Sequence, residues 1–130
     1  MKYLGIDFGL KNIGLSIAEG PLAEPLSQTK YTKIEKLLDF LNQLIQEQTI
    51  TAIVLGIPDN GKMVEKIKDF ANKLQALTHL PIFFQDETLS TQEAKLKLRQ
   101  AHAPLKKRRQ DHVIAATHIL QSYLDDQPQV

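Results

Sequence analysis

The sequence of 130 residues contains no cysteine and no long apolar run. Without thiols, a disulfide framework, a thiolate metal site and a cysteine nucleophile are all excluded. No stretch approaches the roughly 18 apolar residues of a membrane-spanning helix, and the start MKYLGIDFG lacks the apolar segment of a secretory signal. We therefore expect a soluble, cytoplasmic protein with no membrane partner.

The composition is that of one ordinary globular domain. The chain has 42% hydrophobic and 24% charged residues, a balance that a largely disordered protein would not show. It contains no internal repeat, low-complexity tract or linker, and a chain of this size buries a core without disulfides or structural metals. Residues 1–130 are therefore predicted to form a single domain.

Positive charge is concentrated in one segment, although the formal net charge is only +1. Residues 95–109, called the basic segment below, contain seven lysines and arginines and no acid, and they end in Lys106, Lys107, Arg108 and Arg109. The rest of the chain has nine basic residues against 15 acidic ones. This distribution suggests that a polyanion meets one face of the protein. A solvated surface loop explains the basic segment equally well.

Hydrophobic periodicity predicts three strands followed by alternating helices and strands. YLGIDF and IGLSIA, separated by GLKN, are typical of a β-hairpin, and Pro21 and Pro25 make the third strand an edge or bulged strand. The nearly all-apolar TAIVLGIP is typical of a parallel strand covered on both faces, and we place it at the centre of the sheet. The predicted strands cover 3–8, 13–18, 22–29, 51–58 and 81–87, and the predicted helices cover 34–45, 67–77, a short stretch beginning at TQEAKLKL, and about 110–123.

This order predicts an α/β fold with a central mixed sheet, in which three antiparallel N-terminal strands are followed by parallel strands and helices cover both faces. Ligands of such sheets bind beyond the carboxyl ends of the strands. The last helix is predicted to bury Val113, Ala116, Leu120, Tyr123 and Leu124. Tyr3, Phe83, Phe84 and Tyr123 follow core-facing patterns and are assigned to packing.

Four acids lie at predicted element ends rather than on helix surfaces. Asp7 closes the first strand, Asp86 and Glu87 close the last strand, and Asp111 opens the final helix just after the basic segment. If the fold brings these ends together, two or three carboxylates converge. Adjacent strand residues face opposite ways, so only one of Asp86 and Glu87 enters the site; we choose Glu87 and keep Asp86 in reserve. Simpler explanations remain open, because Asp7 also suits a turn and Asp111 suits a helix N-terminus.

A convergent set of carboxylates favours a divalent cation, because their mutual repulsion would otherwise force one of them to take up a proton. Mg²⁺ or Mn²⁺ prefers hard oxygen ligands, usually one or two carboxylates with water and substrate phosphates. Two such ions activate water and stabilise the leaving oxygen of a phosphodiester. The basic segment would bind flanking phosphates. The histidines, His79, His102, His112 and His118, show no ligand spacing. For His112 a phosphate contact or assistance in a proton transfer stays open, but we assign it to the surface of the final helix.

Five motifs, taken in order, resemble the YqgF or RuvX-like family of Holliday junction resolvases, also described as pre-16S rRNA nucleases. They are GIDFGLKNIGLSIAEG with Asp7, Gly9 and Gly14, then LAEPL, IVLGIP, QDETLSTQEA and DHVIAATHILQSYL. The resemblance implies an RNase H-like fold and metal-dependent cleavage of structured nucleic acid, with maturation of the 5′ end of 16S rRNA as the role.

The resemblance also implies roles for individual residues. The family's acidic positions fall on Asp7, Glu87 and Asp111, which would be catalytic and would bind Mg²⁺ or Mn²⁺. Lys11 and Asn12 match the polar residues after the first glycine and would contact phosphate. Nucleic acid, either pre-16S rRNA or branched DNA, is the expected partner, bound by a monomer or a weak homodimer.

The sequence departs from the family pattern at three places. Thr88 stands where the family usually has arginine, and the loop PDNGK is shorter than usual. The fourth strand ends in Gly56-Ile57-Pro58, where related resolvases carry an acid; Asp59 would be the substitute, although DNG is first of all a turn. A binding module without catalysis and a resolvase of branched DNA are therefore alternatives. GIDFG also resembles the first phosphate motif of actin-like ATPases and sugar kinases, but the chain is too short for their two domains.

Overall fold

The computed structural model describes residues 1–86 and 111–127, with Asp111 described by its backbone alone. The predicted helix at TQEAKLKL, the basic segment and Glu87 lie outside these residues. The described elements are strands β1 (Tyr3–Phe8), β2 (Asn12–Ala18), β3 (Glu24–Lys30), β4 (Ala52–Ile57) and β5 (Ile82–Asp86), and helices α1 (Ile34–Glu47), α2 (Lys62–Thr78) and α3 (Asp111–Asp126). No helix in this part of the chain is long and apolar enough to cross a membrane.

The described strands form one mixed sheet in the order β3-β2-β1-β4-β5. The first three strands are antiparallel, and β4 and β5 run parallel to β1. The predicted fold class is confirmed, with α1 and α2 on one face of the sheet and α3 on the other. One detail was wrong, because β1 rather than β4 is the central strand. The apolar run of β4 reflects helices on both of its faces, and this covering does not require the central position.

The third strand lies at the edge of the sheet, as its prolines predicted. Pro25 pairs with Ser16, and the register shifts between Leu15 and Ser16 at this point. Proline donates no hydrogen bond to a ladder, so an edge strand with an irregular register accommodates it.

The face of the sheet covered by α1 and α2 carries the main hydrophobic core. Side chains alternate along β1, so Leu4, Ile6 and Phe8 point to this face, and all three are buried. They pack with the periodic apolar residues that predicted the two helices, among them Leu37, Leu41, Ile67, Phe70 and Leu74. Phe8 stacks on Phe70 with ring centroids 4.5 Å apart. The core therefore fixes the position of Phe8, which directly follows Asp7.

The opposite face is built for close approach of α3. It carries Gly5, Gly14 and Ser16, and a Cβ atom at Gly5 would contact Ser16 Oγ and lie 2.8 Å from Leu120 Cβ. The buried Ser16 hydroxyl donates a 2.8 Å hydrogen bond to the carbonyl of Ala116. Small residues on β1, β2 and α3 thus allow the backbone of α3 to pack directly against these strands.

The predicted buried face of α3 is largely correct. Ala116, Leu120 and Tyr123 are buried, whereas Val113 and Leu124 are half-buried, and Ala115 and Ile119 are also buried. The packing assignment was wrong for Phe83 and Phe84, which are 37% and 45% exposed. Their strand, β5, lies at the edge of the described sheet, where the helices cover it less completely. Phe83 nevertheless stacks on Tyr123 with ring centroids 5.4 Å apart.

Tyr31 holds the turn between β1 and β2 in place. Its hydroxyl donates a 2.5 Å hydrogen bond to the carbonyl of Gly9, and its backbone N–H donates to the carbonyl of Lys11 at 3.0 Å. Burial raises the pKa of the Tyr31 hydroxyl above its ordinary value of 10.0, so the group remains a protonated donor at neutral pH. The turn that follows Asp7 is therefore anchored to the main core.

Replacing this hydroxyl is expected to weaken the fold modestly. We predict that Tyr31→Phe lowers the free energy of unfolding by about 1 kcal/mol, the usual contribution of one hydrogen bond. Because folding raises the pKa, this contribution is complete below the ordinary pKa of 10.0 and is lost as the pH rises through the higher folded value. Urea unfolding at neutral pH measures the difference. The control is Tyr3→Phe, since the Tyr3 hydroxyl donates to the Met1 sulfur in an exposed position, at 3.5 Å. Equal stability of the two variants would contradict the prediction.

Candidate active site

Asp7 occupies the end of the central strand on the face covered by α3. The alternation along β1 places it on the same side as Gly5, while Ile6 and Phe8 point to the main core. Asp7 is buried, with 8% of its surface exposed, and it is the one buried acid among the described residues. A carboxylate kept in this position at the carboxyl end of a strand fits a binding site better than a turn.

His112, the second residue of α3, contacts this carboxylate. Its Nδ1 lies 2.6 Å from Oδ2 of Asp7, and since a carboxylate accepts, the ring N–H donates. The side chains of His112 and Asp7 are 35% and 11% exposed. The assignment of His112 to the helix surface was therefore wrong. Neither its spacing nor its neighbours along the chain predicted this contact, which joins residues 105 positions apart.

Two glycines make room for His112. A Cβ atom at Gly9 would lie 2.9 Å from Cε1 of the His112 ring, and a Cβ atom at Gly14 would overlap the His112 backbone carbonyl. Gly9 does not adopt a positive φ; among the described glycines only Gly61 does, at 110°. The reason for a glycine at position 9 is therefore steric and not a positive φ. The glycines of the first motif bring the start of α3 against the end of β1.

Asn12 lies on the same face, across from Gly9. The N–H of Gly9 donates to the carbonyl of Asn12 at 2.9 Å, and Asn12 precedes Gly14, the partner of Asp7, by two residues. The side-chain Oδ1 of Asn12 is buried and, within residues 1–86 and 111–127, accepts no hydrogen bond. Lys11, beside it in the turn, is exposed. Asp7, Asn12 and His112 thus lie on one face of the sheet where β1 ends and β2 begins, with Lys11 exposed in the turn between these strands.

None of the other predicted acids has a described side chain that contacts Asp7. Asp111 is the first residue of α3 and the neighbour of His112; its side chain, like Glu87 and Lys106, Lys107, Arg108 and Arg109, is outside the described residues. Gln85 faces α3, since its Nε2 donates to Oδ2 of Asp126 at 3.2 Å. By alternation along β5, Asp86 points to the opposite face from Gln85 and Asp7.

Strand β4 contributes no carboxylate at the level of Asp7. Leu55 pairs with Ile6, so the next residue, Gly56, continues the ladder beside Asp7 and has no side chain. Asp59 is exposed in the connection before α2. The described residues therefore support Asp59 as a turn residue and not as a substitute for the missing acid.

The described donor atoms suit a hard divalent cation. No group of three histidines, cysteines or acids able to hold a metal occurs within residues 1–86 and 111–127. Oδ2 of Asp7 accepts a hydrogen bond from His112. Asn12 adds a buried carboxamide oxygen that accepts no hydrogen bond from the described residues. Mg²⁺ commonly binds through one or two carboxylates and completes its shell with water and substrate phosphate. The site formed by Asp7, Asn12 and His112 fits such an ion, and it lacks the thiolates that softer ions prefer.

A carboxylate held by a histidine at a metal site usually depends on that partner, and we expect the same here. We predict that His112→Ala raises the Kd for Mn²⁺ about tenfold, because Asp7 loses the hydrogen bond that fixes its orientation. Titration calorimetry without nucleic acid measures the change, and His112→Asn, which retains an N–H donor, should restore part of the affinity. The control His118→Ala lies about 9 Å further along the helix. Unchanged Mn²⁺ affinity in His112→Ala would contradict this role.

The sheet order and the placement of the helices on its two faces are those of an RNase H-like fold. A solved structure of Thermus thermophilus RuvC in complex with a Holliday junction superimposes with a TM-score of 0.64, at 15% sequence identity, over 95% of this chain and 93% of that chain. At this identity the likeness concerns the fold alone. The predicted RNase H-like fold is thereby confirmed.

The family follows from sequence comparison. The family RuvX, described as Holliday junction resolvase, matches residues 1–126, and the chain belongs to this family. A relative from Syntrophomonas wolfei is 36% identical over 133 residues, which cover 96% of this chain and 94% of the relative. A relative from Protochlamydia amoebophila is 37% identical over 139 residues, with 95% and 93% covered. Both carry the name "Putative pre-16S rRNA nuclease". The resemblance predicted from the motifs is confirmed.

Proposed function

We propose that this protein is a divalent-cation-dependent nuclease that hydrolyses phosphodiester bonds in structured RNA and processes the 5′ end of pre-16S rRNA. Family membership and the names of the relatives support a nuclease function. The observation that carries the proposal is the buried Asp7 carboxylate at the end of the central strand, held at 2.6 Å by His112 next to Asp111. This is the position at which ligands of such sheets bind.

The residues of this chain have distinct roles in the proposed reaction. Asp7 binds the cation, Glu87 and Asp111 complete its carboxylate ligands, and His112 orients Asp7. Gln85 faces α3, and Glu87 follows it by two residues, which supports Glu87 over Asp86. When bound, the cation supplies Lewis-acid stabilisation of the phosphoryl oxygens.

Basic residues bind the substrate backbone. Lys11 is exposed in the turn that follows Asp7, so its ammonium can reach a phosphate next to the scissile one. Lys106, Lys107, Arg108 and Arg109 directly precede Asp111 in sequence and supply four further positive charges. Such contacts make nucleic-acid affinity fall steeply with salt. Along the chain, basic residues therefore follow Asp7 and precede Asp111.

The proposal is tested with two substrates at substoichiometric enzyme. A fragment spanning the 5′ end of pre-16S rRNA and a four-way DNA junction are each incubated with Mg²⁺, with Mn²⁺ and with chelator. We expect repeated, cation-dependent cleavage of the RNA. Cleavage of the junction alone would instead assign branched DNA as substrate. Binding of either substrate without any cleavage would reject the nuclease and leave a binding module.

A further inference from the structure

The side chain of Asn12 has a feature that ordinary packing does not explain. Its Oδ1 is buried and accepts no hydrogen bond from the described residues. Leaving a buried acceptor unpaired costs about 1–3 kcal/mol, and native proteins retain few such groups. A catalytic role, or a water or ion that supplies the missing partner, is among the explanations of such a group.

The location of this oxygen relates it to Asp7. Gly14 pairs with Asp7 across the antiparallel ladder, and Asn12 lies two residues before Gly14 on the same face. Diagonal neighbours of this kind have α-carbons about 7–8 Å apart, a separation that two inward-pointing side chains bridge through a shared ligand. The His112 ring lies against Gly9, which is the neighbour of Asn12 across the turn.

The chemistry of the unpaired atom selects the kind of ligand. An amide oxygen is only an acceptor, and phosphate oxygens are also acceptors, so a phosphate cannot satisfy it. A hard cation or its hydration water can, and side-chain amide oxygens are ordinary ligands of such ions. The phosphate contact expected of Asn12 from sequence therefore does not account for its buried oxygen.

We propose that Asn12 Oδ1 contributes an oxygen to the coordination sphere of the divalent cation bound at Asp7. This inference rests on the proposed function, since it requires the cation centre, and it extends that centre beyond the three predicted acids. Asn12 adds an oxygen donor without adding negative charge. It therefore helps to hold the ion without increasing the repulsion among carboxylates in the ion-free protein.

The chain offers a matched control at Gln28. Gln28 pairs with Gly14 from the far side, and its Oε1 is also buried without a hydrogen bond. It lies two strands from Asp7, about 10 Å at the usual strand spacing. Removal of either amide eliminates an unpaired buried acceptor, but only removal of the Asn12 amide should affect cation binding.

The experiment measures Mn²⁺ binding without nucleic acid, by the electron paramagnetic resonance signal of free Mn²⁺. The variants are Asn12→Ala, Asn12→Asp, Gln28→Ala and Asp7→Asn, each also melted in chelator and in Mn²⁺. We expect Asn12→Ala to raise the Kd about tenfold and Gln28→Ala to leave it unchanged. Asn12→Asp should bind at least as tightly as the natural protein. Its melting temperature should fall in chelator, because two carboxylates then repel, and recover in Mn²⁺.

The outcomes separate this inference from the proposed function. If Asp7→Asn abolishes Mn²⁺ binding while Asn12→Ala does not change it, the role of Asn12 is wrong and the cation centre stands. If Asp7→Asn itself has no effect on Mn²⁺ binding, the cation centre at Asp7 is wrong as well. If Asn12→Ala leaves Mn²⁺ affinity unchanged but weakens RNA binding in chelator while Gln28→Ala does not, Asn12 contacts phosphate through its amide nitrogen, which also overturns the inference.

Discussion

Asp7→Asn is expected to reduce RNA cleavage about a thousandfold while leaving the fold intact. The side chain keeps its shape, and its remaining oxygen still accepts the hydrogen bond that His112 donates to Asp7 at 2.6 Å. The loss of the negative charge removes the main ligand of the cation. A bound cation stabilises the transition state by several kcal/mol, and about 4 kcal/mol corresponds to roughly a thousandfold in rate. Single-turnover cleavage of the pre-16S rRNA fragment in saturating Mg²⁺ measures the loss.

The control for this variant is Asp59→Asn. Asp59 is an exposed acid in the connection between β4 and α2, and it is the residue that would replace the missing acid of the fourth strand. We expect its cleavage rate to equal that of the natural protein. Melting temperatures of both variants within a few degrees of the natural protein would show that the fold is retained. A rate unaffected by Asp7→Asn would contradict the assignment of the site.

Gly14→Ala is expected to destabilise the fold by about 3 kcal/mol. The added methyl group would overlap the backbone carbonyl of His112 and lie 2.6 Å from the backbone nitrogen of Val113. Both atoms belong to the first turn of α3, and a helix backbone cannot move aside as a flexible side chain can. Relief therefore requires α3 to shift away from β2, at the usual cost of overpacking a core. Urea unfolding measures the difference.

Gly20→Ala is the matched control, because a Cβ atom at Gly20 meets no atom within 4 Å. Its effect should stay within about 0.5 kcal/mol, as for other surface substitutions. The shift of α3 in Gly14→Ala would also draw His112 away from Asp7, so Mn²⁺ affinity should fall in this variant alone. Equal stability of the two variants would mean that the start of α3 does not lie against β2.

Much of the fold was predictable because its elements carry clear periodicity. Leu37, Leu41 and Ile45 recur at helical spacing and are all buried in α1, as expected. Pro25 correctly predicted an edge strand, because proline donates no hydrogen bond to a neighbouring strand. The order of the strands was harder to predict, because burial on both faces is common to β1 and β4. The centre is decided by strand pairing, since β2 and β3 lie on one side of β1 and β4 and β5 on the other.

The candidate site was predictable in part. The position of Asp7 at the end of an apolar run was sufficient to select it. His112 was missed because its role depends on a contact with a residue 105 positions away, which no local spacing encodes. A signal did exist in the glycines: Gly5 lies against the carbonyl of Ala116 and Gly14 against the carbonyl of His112, and glycines on one face of neighbouring strands indicate close packing of a helix on that face. This packing places the start of α3 against β2 and brings His112 to Asp7.

The surrounding fold explains why the short motif GIDFGLKNIG provides most of the described site residues. Phe8 fixes the strand end to the main core, Tyr31 ties down the turn, and the glycines admit α3 from the other face. Asp7 lies between these three constraints, so its carboxylate is held before any ligand binds. Such preorganisation is what a catalytic cation centre requires.

The most direct test of this account is a crystal structure of the protein grown with Mn²⁺, with anomalous diffraction used to locate the ion. We predict an anomalous peak about 2.0–2.3 Å from a carboxylate oxygen of Asp7, with Asp111 and Glu87 as further ligands. An Asp7 carboxylate without an ion at saturating Mn²⁺ would contradict the proposed centre.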